Sequence, residues 1–331
     1  MKKSLLAIVA MTAFAGAAHA QSSVTVYGIV DIGYGASNNS TTTYAGAKTT
    51  VSGRSTGNAS GQSTSRLGFK GTEDLGGGTK ANFVLEYGLG ETAAGANSWA
   101  ARESWIGLAN AKTGELRLGR QYQSVHGAIT NGLAGGANNV TGSIYSKNTS
   151  SSTLDSASIR PHAVYMDNAV TYISPTMSGL TLQAQTGQSF TTASDASPSI
   201  GSRESGASLT FTGVKNLSVA YGISQANAVA AATNGKTTVQ ALSANYNFGV
   251  AQVFALGTQQ KVDTIYTGAN LKTSAYELGV KAPVTPKIGV WASVYTGNRT
   301  LSGATGGTTV STANGDVGGF QLGSSYAFSK R

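Results

Sequence analysis

Large apolar residues alternate with small or polar ones along much of the chain, and this period of two predicts strands, because successive strand side chains point to opposite faces of a sheet. In the run 320–328, Phe320, Leu322, Tyr326 and Phe328 alternate with Gln321, Gly323, Ser325 and Ala327, and only Ser324 breaks the pattern. Leu217, Val219, Tyr221 and Ile223 are separated by Ser218, Ala220 and Gly222. Leu242, Ala244, Tyr246 and Phe248 repeat the pattern, as do Ile288, Val290, Ala292 and Val294, and Phe83, Leu85 and Tyr87. In each segment the opposite face is too small or too polar to pack a core.

Extending the reading along the chain predicts about fourteen strands, near 24–35, 63–73, 79–90, 100–110, 115–122, 167–175, 180–188, 203–212, 217–226, 237–248, 251–260, 273–281, 288–297 and 317–328. A soluble β-sandwich shares such alternation. Two features favour a membrane barrel instead. Strands of roughly ten residues match a tilted crossing of the hydrocarbon layer. Connections also alternate between short turns, at 74–78, 112–114, 176–179 and 248–250, and long polar segments, at 36–62, 123–166, 227–236 and 298–316. In lipid each backbone polar group needs an internal partner, so such strands must close on themselves. Tyr27, Tyr34, Tyr87, Tyr172, Tyr221, Tyr246, Tyr326 and Phe328 lie toward strand ends, where interface girdles would use them.

Composition agrees with this picture. Charged residues make up 11%, against roughly 25% in soluble globular proteins. No stretch after the first twenty residues approaches the roughly 18 apolar residues of a spanning helix. Lys2 and Lys3, the apolar run 5–14 and the ending Ala18-His19-Ala20 predict a secretory signal peptide over 1–20, cleaved before Gln21. The remainder, 21–331, shows no linker or composition shift and reads as one domain. The absence of cysteine excludes a disulfide framework, thiolate metal sites and cysteine nucleophiles.

At the level of motifs the chain resembles the Gram-negative general porins, in the β-proteobacterial, anion-selective branch. The resemblance is carried by Ser23-Val24-Thr25-Val26-Tyr27-Gly28-Ile29-Val30-Asp31, by Ser65-Arg66-Leu67-Gly68-Phe69-Lys70-Gly71 and by Arg102-Glu103-Ser104-Trp105-Ile106-Gly107-Leu108. Leu118-Gly119-Arg120-Gln121-Tyr122, Ala169-Val170-Thr171-Tyr172, Ala244-Asn245-Tyr246-Asn247-Phe248 and Ser325-Tyr326-Ala327-Phe328-Ser329-Lys330-Arg331 continue it in order. It implies an all-β, transmembrane antiparallel barrel of sixteen strands, a homotrimer in contact with outer-membrane lipid and lipopolysaccharide, and a long third loop folded into the lumen, here 123–166. Family members continue past the Ser-Lys-Arg turn through another hairpin, so with about fourteen strands the chain is expected to lack the final hairpin. A true fourteen-stranded barrel is the competing reading.

Strand phase then sorts the charges. With Leu67 and Phe69 toward lipid, Arg66 and Lys70 face the lumen, and Phe83, Leu85 and Tyr87 outside leave Glu86 inside. Placing Trp105 toward lipid or a neighbouring subunit turns Arg102 and Ser104 inward, and Leu116 and Leu118 outside turn Arg117 inward. Arg120 falls on the other phase and receives no role. A wall of guanidinium and ammonium groups focuses positive potential and enriches small anions. The resemblance places a basic cluster at the constriction, matched by Arg66 and Arg102 and, near the end of the third loop, by Arg160. Asp155 and Asp167 are candidates for an opposing acidic wall.

The expected function is therefore passive diffusion of small hydrophilic solutes and ions, with anions preferred, and with no catalysis, cofactor or metal. An adhesin or surface-display barrel with a plugged lumen is the alternative, and a barrel hydrolase using His162 near Asp167 is a third. The net charge of +9 is spread over strands without a recognition motif, which argues against nucleic acid as a partner. His126 and His162, with few acids nearby, make a poor metal site.

Overall fold

Each alternating segment pairs with its neighbour in sequence, as two-faced strands must if every one is to keep its apolar side in the same solvent. The computed structural model describes residues 23–42, 48–57, 62–89, 99–137, 143–145, 164–190, 200–228, 235–264, 270–305 and 308–328. They form β1 (Ser23–Ile29), β2 (Gly33–Thr42), β3 (Lys48–Gly57), β4 (Arg66–Gly76), β5 (Thr79–Leu89), β6 (Trp99–Asn110), β7 (Gly114–Tyr122), α1 (Ser124–Asn131), β8 (Tyr165–Ile173) and β9 (Leu180–Phe190). β10 (Ile200–Phe211), β11 (Leu217–Ala228), β12 (Gly235–Asn247), β13 (Gln252–Thr264), β14 (Asn270–Pro283), β15 (Ile288–Thr305) and β16 (Thr308–Tyr326) follow. Fourteen strands make one antiparallel meander in the order β1, β4, β5 and onward to β16, with β2 and β3 as a separate pair. The sheet is not closed: among the described residues β1 pairs only with β4, and β16 only with β15.

The two faces differ in solvent. On one, Ile106, Leu118, Leu242, Tyr276, Leu278, Val294, Phe320 and Leu322 are at least half exposed. Each such side chain left in water forfeits about 1.5–3 kcal/mol of burial, so a band of them along successive strands marks a hydrocarbon-facing surface. Among the described residues no helix is long and apolar enough to cross a membrane, and the strands carry the apolar band. The other face presents buried Ser224, Ser243, Thr258, Thr273, Glu277 and Gln321.

One segment after β7 folds onto this polar face. α1 lays Val125, Ala128 and Ile129, the i, i+3, i+4 stripe of a helix, against Ala220, Val239, Ala241 and Leu256. Gly222 permits the approach, since a Cβ there would stand 2.8 Å from Val125 Cα. Gln123 supplies no side-chain cap; instead the Ser124 amide donates to Gln185 Oε1 at 3.1 Å. At the other end Ser243 Oγ donates to Ala128 O at 2.6 Å, and Asn245 Nδ2 donates to Asn131 O at 2.8 Å. Further on, the Ile144 amide donates to the buried Glu277 carboxylate at 2.8 Å. The described parts of the expected third loop, 123–137 and 143–145, thus lie on the polar face, where the insertion was expected.

Two expectations are corrected. The segments 36–62 and 298–316 were expected as polar loops, yet β2 pairs with β3, and β15 with β16, through most of them. Backbone pairing needs no apolar face, and threonine and serine tolerate extended backbone, so these extensions beyond the lipid leave no alternation to read. The short turns fall where expected; Gly76, Gly77 and Gly78 all have positive φ, 81°, 60° and 78°, which other residues rarely adopt. The predicted signal peptide, Arg160, Asp155 and His162 lie outside the described residues.

Candidate pore constriction

The site begins with a row of directly opposed residues. Tyr27 faces Gly68 across β1 and β4, Gly68 faces Glu86 across β4 and β5, and Glu86 faces Glu103 across β5 and β6. Opposed residues share a face, so all four belong to the polar side. Tyr27 lies across Gly68 and donates its hydroxyl to Glu86 Oε2 at 3.0 Å. Only glycine allows this, because a Cβ at position 68 would stand 2.6 Å from Tyr27 Oη. Tyr27 is thus no girdle residue. Val24 and Val26 are the most exposed large apolar residues of β1, at 64% and 61%, and their phase already turns Tyr27 inward.

Glu86 collects two guanidiniums. Arg102 Nε donates to Glu86 Oε1 at 2.5 Å, and Arg66 Nη1 stands 3.7 Å from the same oxygen. Arg66 arrives by simple alternation with Gly68 and Lys70. Arg102 arrives by a β-bulge: β6 passes from Glu103, opposite Glu86, to Ala101, opposite Tyr87, with Arg102 as the extra residue. A bulge re-aims a side chain that alternation would send the other way. The expected phase of this strand is therefore corrected. Trp105 opposes Val84 and Gly119 on the polar face, whereas Ser104 opposes Leu85 on the apolar one.

Aromatic rings frame the arginines. Arg102 Nη2 donates to Tyr122 Oη at 3.0 Å, and its guanidinium stands 5.7 Å from the Tyr165 ring centroid. Arg120 also packs on Tyr165, 4.8 Å from its ring centroid, and forms an ion pair with Asp167. Asp167, expected as part of an opposing wall, thus neutralises Arg120 on a neighbouring strand. His126 of α1 stacks on Tyr122, with centroids 4.5 Å apart and planes at 14°. A cavity of about 250 Å³ is lined by Ser63, Thr64, Arg66, Arg102, Tyr122 and Tyr165 on the wall and by His126, Ala137 and Tyr145 of the inserted segment.

Arg66 is held by its neighbours on the cavity wall. Its Nε donates to Thr64 O at 3.2 Å, and Nη2 donates to Ser63 Oγ. That segment is pinned in turn by Asp31, whose carboxylate accepts the amides of Gln62 at 3.2 Å and Ser63 at 2.5 Å. Ser65 Oγ accepts the Asp31 amide at 3.0 Å and donates to its carbonyl at 3.1 Å. Lys70 lies on the Arg66 face, with Nζ 5.4 Å from the Tyr27 ring centroid. Arg117 stacks 4.1 Å above Trp105 and pairs with Glu115 at 2.7 Å. The structure thus brings Arg66 and Arg102 together, sets Lys70 beside Tyr27, and holds Arg117 on the same face in a separate cluster. Tyr27, Tyr122 and Tyr165 were not singled out from the sequence as part of the site. Among the described residues no group of His, Asp or Glu is arranged to hold a metal ion.

A long antiparallel meander with an apolar band on one face, and an arginine-lined polar face narrowed by an inserted helix, is the wall of a membrane channel. The chain belongs to the Gram-negative porin family, whose model matches residues 6–331. It is 34% identical over 293 residues to outer membrane porin protein 32 of Delftia acidovorans, covering 86% of this chain and 76% of that one. Its structure superimposes on the anion-selective porin from Comamonas acidovorans with a TM-score of 0.63 and 26% identity, over 93% of this chain and all of that one. The fold is shared with OmpT of Vibrio cholerae, solved in a trimer form, at a TM-score of 0.61 and 14% identity, over 93% and 85% of the two chains. The chain is a protein of the outer membrane and functions there as a porin.

Proposed function

We propose that the chain forms a passive diffusion channel for small hydrophilic solutes and ions, that it prefers anions, and that Arg66 and Arg102 line its constriction. The observation that carries this reading is the convergence of both guanidiniums on one cavity of about 250 Å³, closed on the other side by the inserted segment. Arg66 and Arg102 share the carboxylate of Glu86, and with Glu103 opposite Glu86 these four charges balance, so the positive excess of this face is contributed by Lys70. Arg117 and Arg120 are each matched by their own carboxylate, so they add polarity more than charge. Lys70 extends the positive wall, and Arg160 is assigned to it from its place in the family's motif. In a narrow passage with low-dielectric walls such an excess favours anions. The anion-selective Comamonas relative supports the same sign.

Function in lipid requires that the free edges of β1 and β16 be paired, since open sheet edges do not persist in hydrocarbon. A homotrimer, bedded in outer-membrane lipid and lipopolysaccharide, is the proposed assembly; the trimer form of the Vibrio OmpT relative supports it. Reversal potentials in planar bilayers under a salt gradient test the reading. Anion preference is expected, and its loss is expected in Arg66→Ala plus Arg102→Ala. A cation preference unaltered by that double change would overturn it.

A further inference from the structure

A second polar cavity lies behind the inserted helix, outside the Arg66 and Arg102 cluster. It measures about 240 Å³ and sits between the first half of α1 and the wall made by β6, β7, β9 and β10. Glu103, Arg117, Gln121, Gln183, Ser208 and Thr210 contribute its polar lining. It therefore carries one charge of each sign, surrounded by amides and hydroxyls.

One indole sets the spacing of those charges. The Arg117 guanidinium lies 4.1 Å from the Trp105 ring centroid, while Glu103 Oε1 accepts the Trp105 Nε1 hydrogen at 3.1 Å. Arg117 forms its ion pair with Glu115 and not with Glu103. Arg117 Nε is buried and has no hydrogen-bond partner among the described residues. An unmet buried donor is costly, so the guanidinium keeps donor capacity beyond its pair with Glu115.

We propose that this cavity is a subsite for a small zwitterion, an α-amino acid, with its carboxylate at Arg117 and its ammonium at Glu103. A simple anion entering here would meet the Glu103 carboxylate, and a simple cation would meet the Arg117 guanidinium, whose charge Glu115 offsets only from outside the cavity. A molecule bearing both charges satisfies each without adding net charge to a confined space. The neutral lining suits the rest of a small polar solute. The stacked rings of Tyr122 and His126 border both this cavity and the arginine-lined one, which puts the subsite directly beside the proposed solute path. The inference extends the channel reading to a class of solute.

Binding is measured on the purified full chain in detergent, by saturation-transfer NMR with serine, lactate and ethanolamine, which makes the readout independent of conduction. Saturation transfer to serine, and little to lactate or ethanolamine, is expected. Arg117→Gln and Glu103→Gln should each weaken serine at least tenfold. Ser208→Leu, which narrows the cavity from β10 and leaves both charges in place, should do the same. Equal transfer to serine and lactate in the unmodified protein overturns the proposal without requiring any variant to fold. Serine binding unchanged in all three variants overturns it as well. A protein that binds serine as described and yet passes no current in bilayers would retain the subsite and lose the channel.

Discussion

Arg102 reaches Glu86, Nε to Oε1 at 2.5 Å, because β6 carries one residue more than β5 at that point. The bulge places Arg102 and Glu103 on one face together, and a single Glu86 carboxylate then holds Arg102, Arg66 and the Tyr27 hydroxyl. The net charge of the constriction is set by this arrangement and not by the number of arginines alone.

Glu86→Gln removes the counter-charge and keeps the shape. A unit charge about 8 Å from a passing ion is worth ~0.5 kcal/mol in water, or roughly a factor of two in occupancy. The anion gains what the cation loses, so the chloride to potassium permeability ratio in bilayers is expected to rise by about the square of that factor, roughly fivefold. A ratio that falls would show that Glu86 does not offset the arginines facing the path.

Gly68→Ala sets a methyl group against the Tyr27 ring and should break its bond to Glu86. Overpacking of this kind costs about 1–3 kcal/mol. Thermal unfolding in detergent is expected at lower temperature than for the unmodified protein, and Tyr27→Phe should show a smaller loss.

Asp31→Asn weakens the clamp on residues 62–65 that carries the acceptors of Arg66. Asp31 acts on the path only through Arg66. Anion preference should therefore drop in the Asp31→Asn protein and should show no additional drop when Asp31→Asn is combined with Arg66→Ala.

Glu277→Leu removes the acceptor of the Ile144 amide, at a cost of about 1.5–3 kcal/mol for a bond to a charged group. The inserted segment should dock less firmly. Single-channel conductance is expected to become noisier and larger on average, a change visible in the amplitude histogram.

The absence of native cysteine allows a direct test of strand phase in β6. Glu103→Cys should react with a charged, water-soluble thiol reagent. Ser104→Cys, opposite Leu85 and on the lipid side, should be protected in bilayers. Equal labelling at both would contradict the register.

The sequence alone was enough to define the two-faced strands. Leu242, Tyr276, Val294 and Phe320 alternate with small or polar residues because one side must meet hydrocarbon and the other water, and that demand is written residue by residue at a period of two. Arg66, Lys70 and Arg117 were legible for the same reason, since each sits in a strand whose phase is unbroken from its apolar neighbours. Arg102 was placed inward for a reason the structure overturns: Trp105 faces the polar side, and a bulge, not alternation, turns the arginine.

A bulge leaves no periodic trace, since it is decided by how two strands pair, and Trp105 looks the same in sequence whether it meets lipid or Arg117. α1 was invisible for a related reason. Eight residues make a marginal helix by themselves, and this one forms on a surface built by β10 to β13 from residues 69 or more positions further along the chain. Local pattern thus determined which residues meet lipid wherever the alternation is unbroken. Only the tertiary pairing decided which charges meet each other, because contacts between distant strands depend on register and on the inserted segment, and neither is encoded in any single stretch.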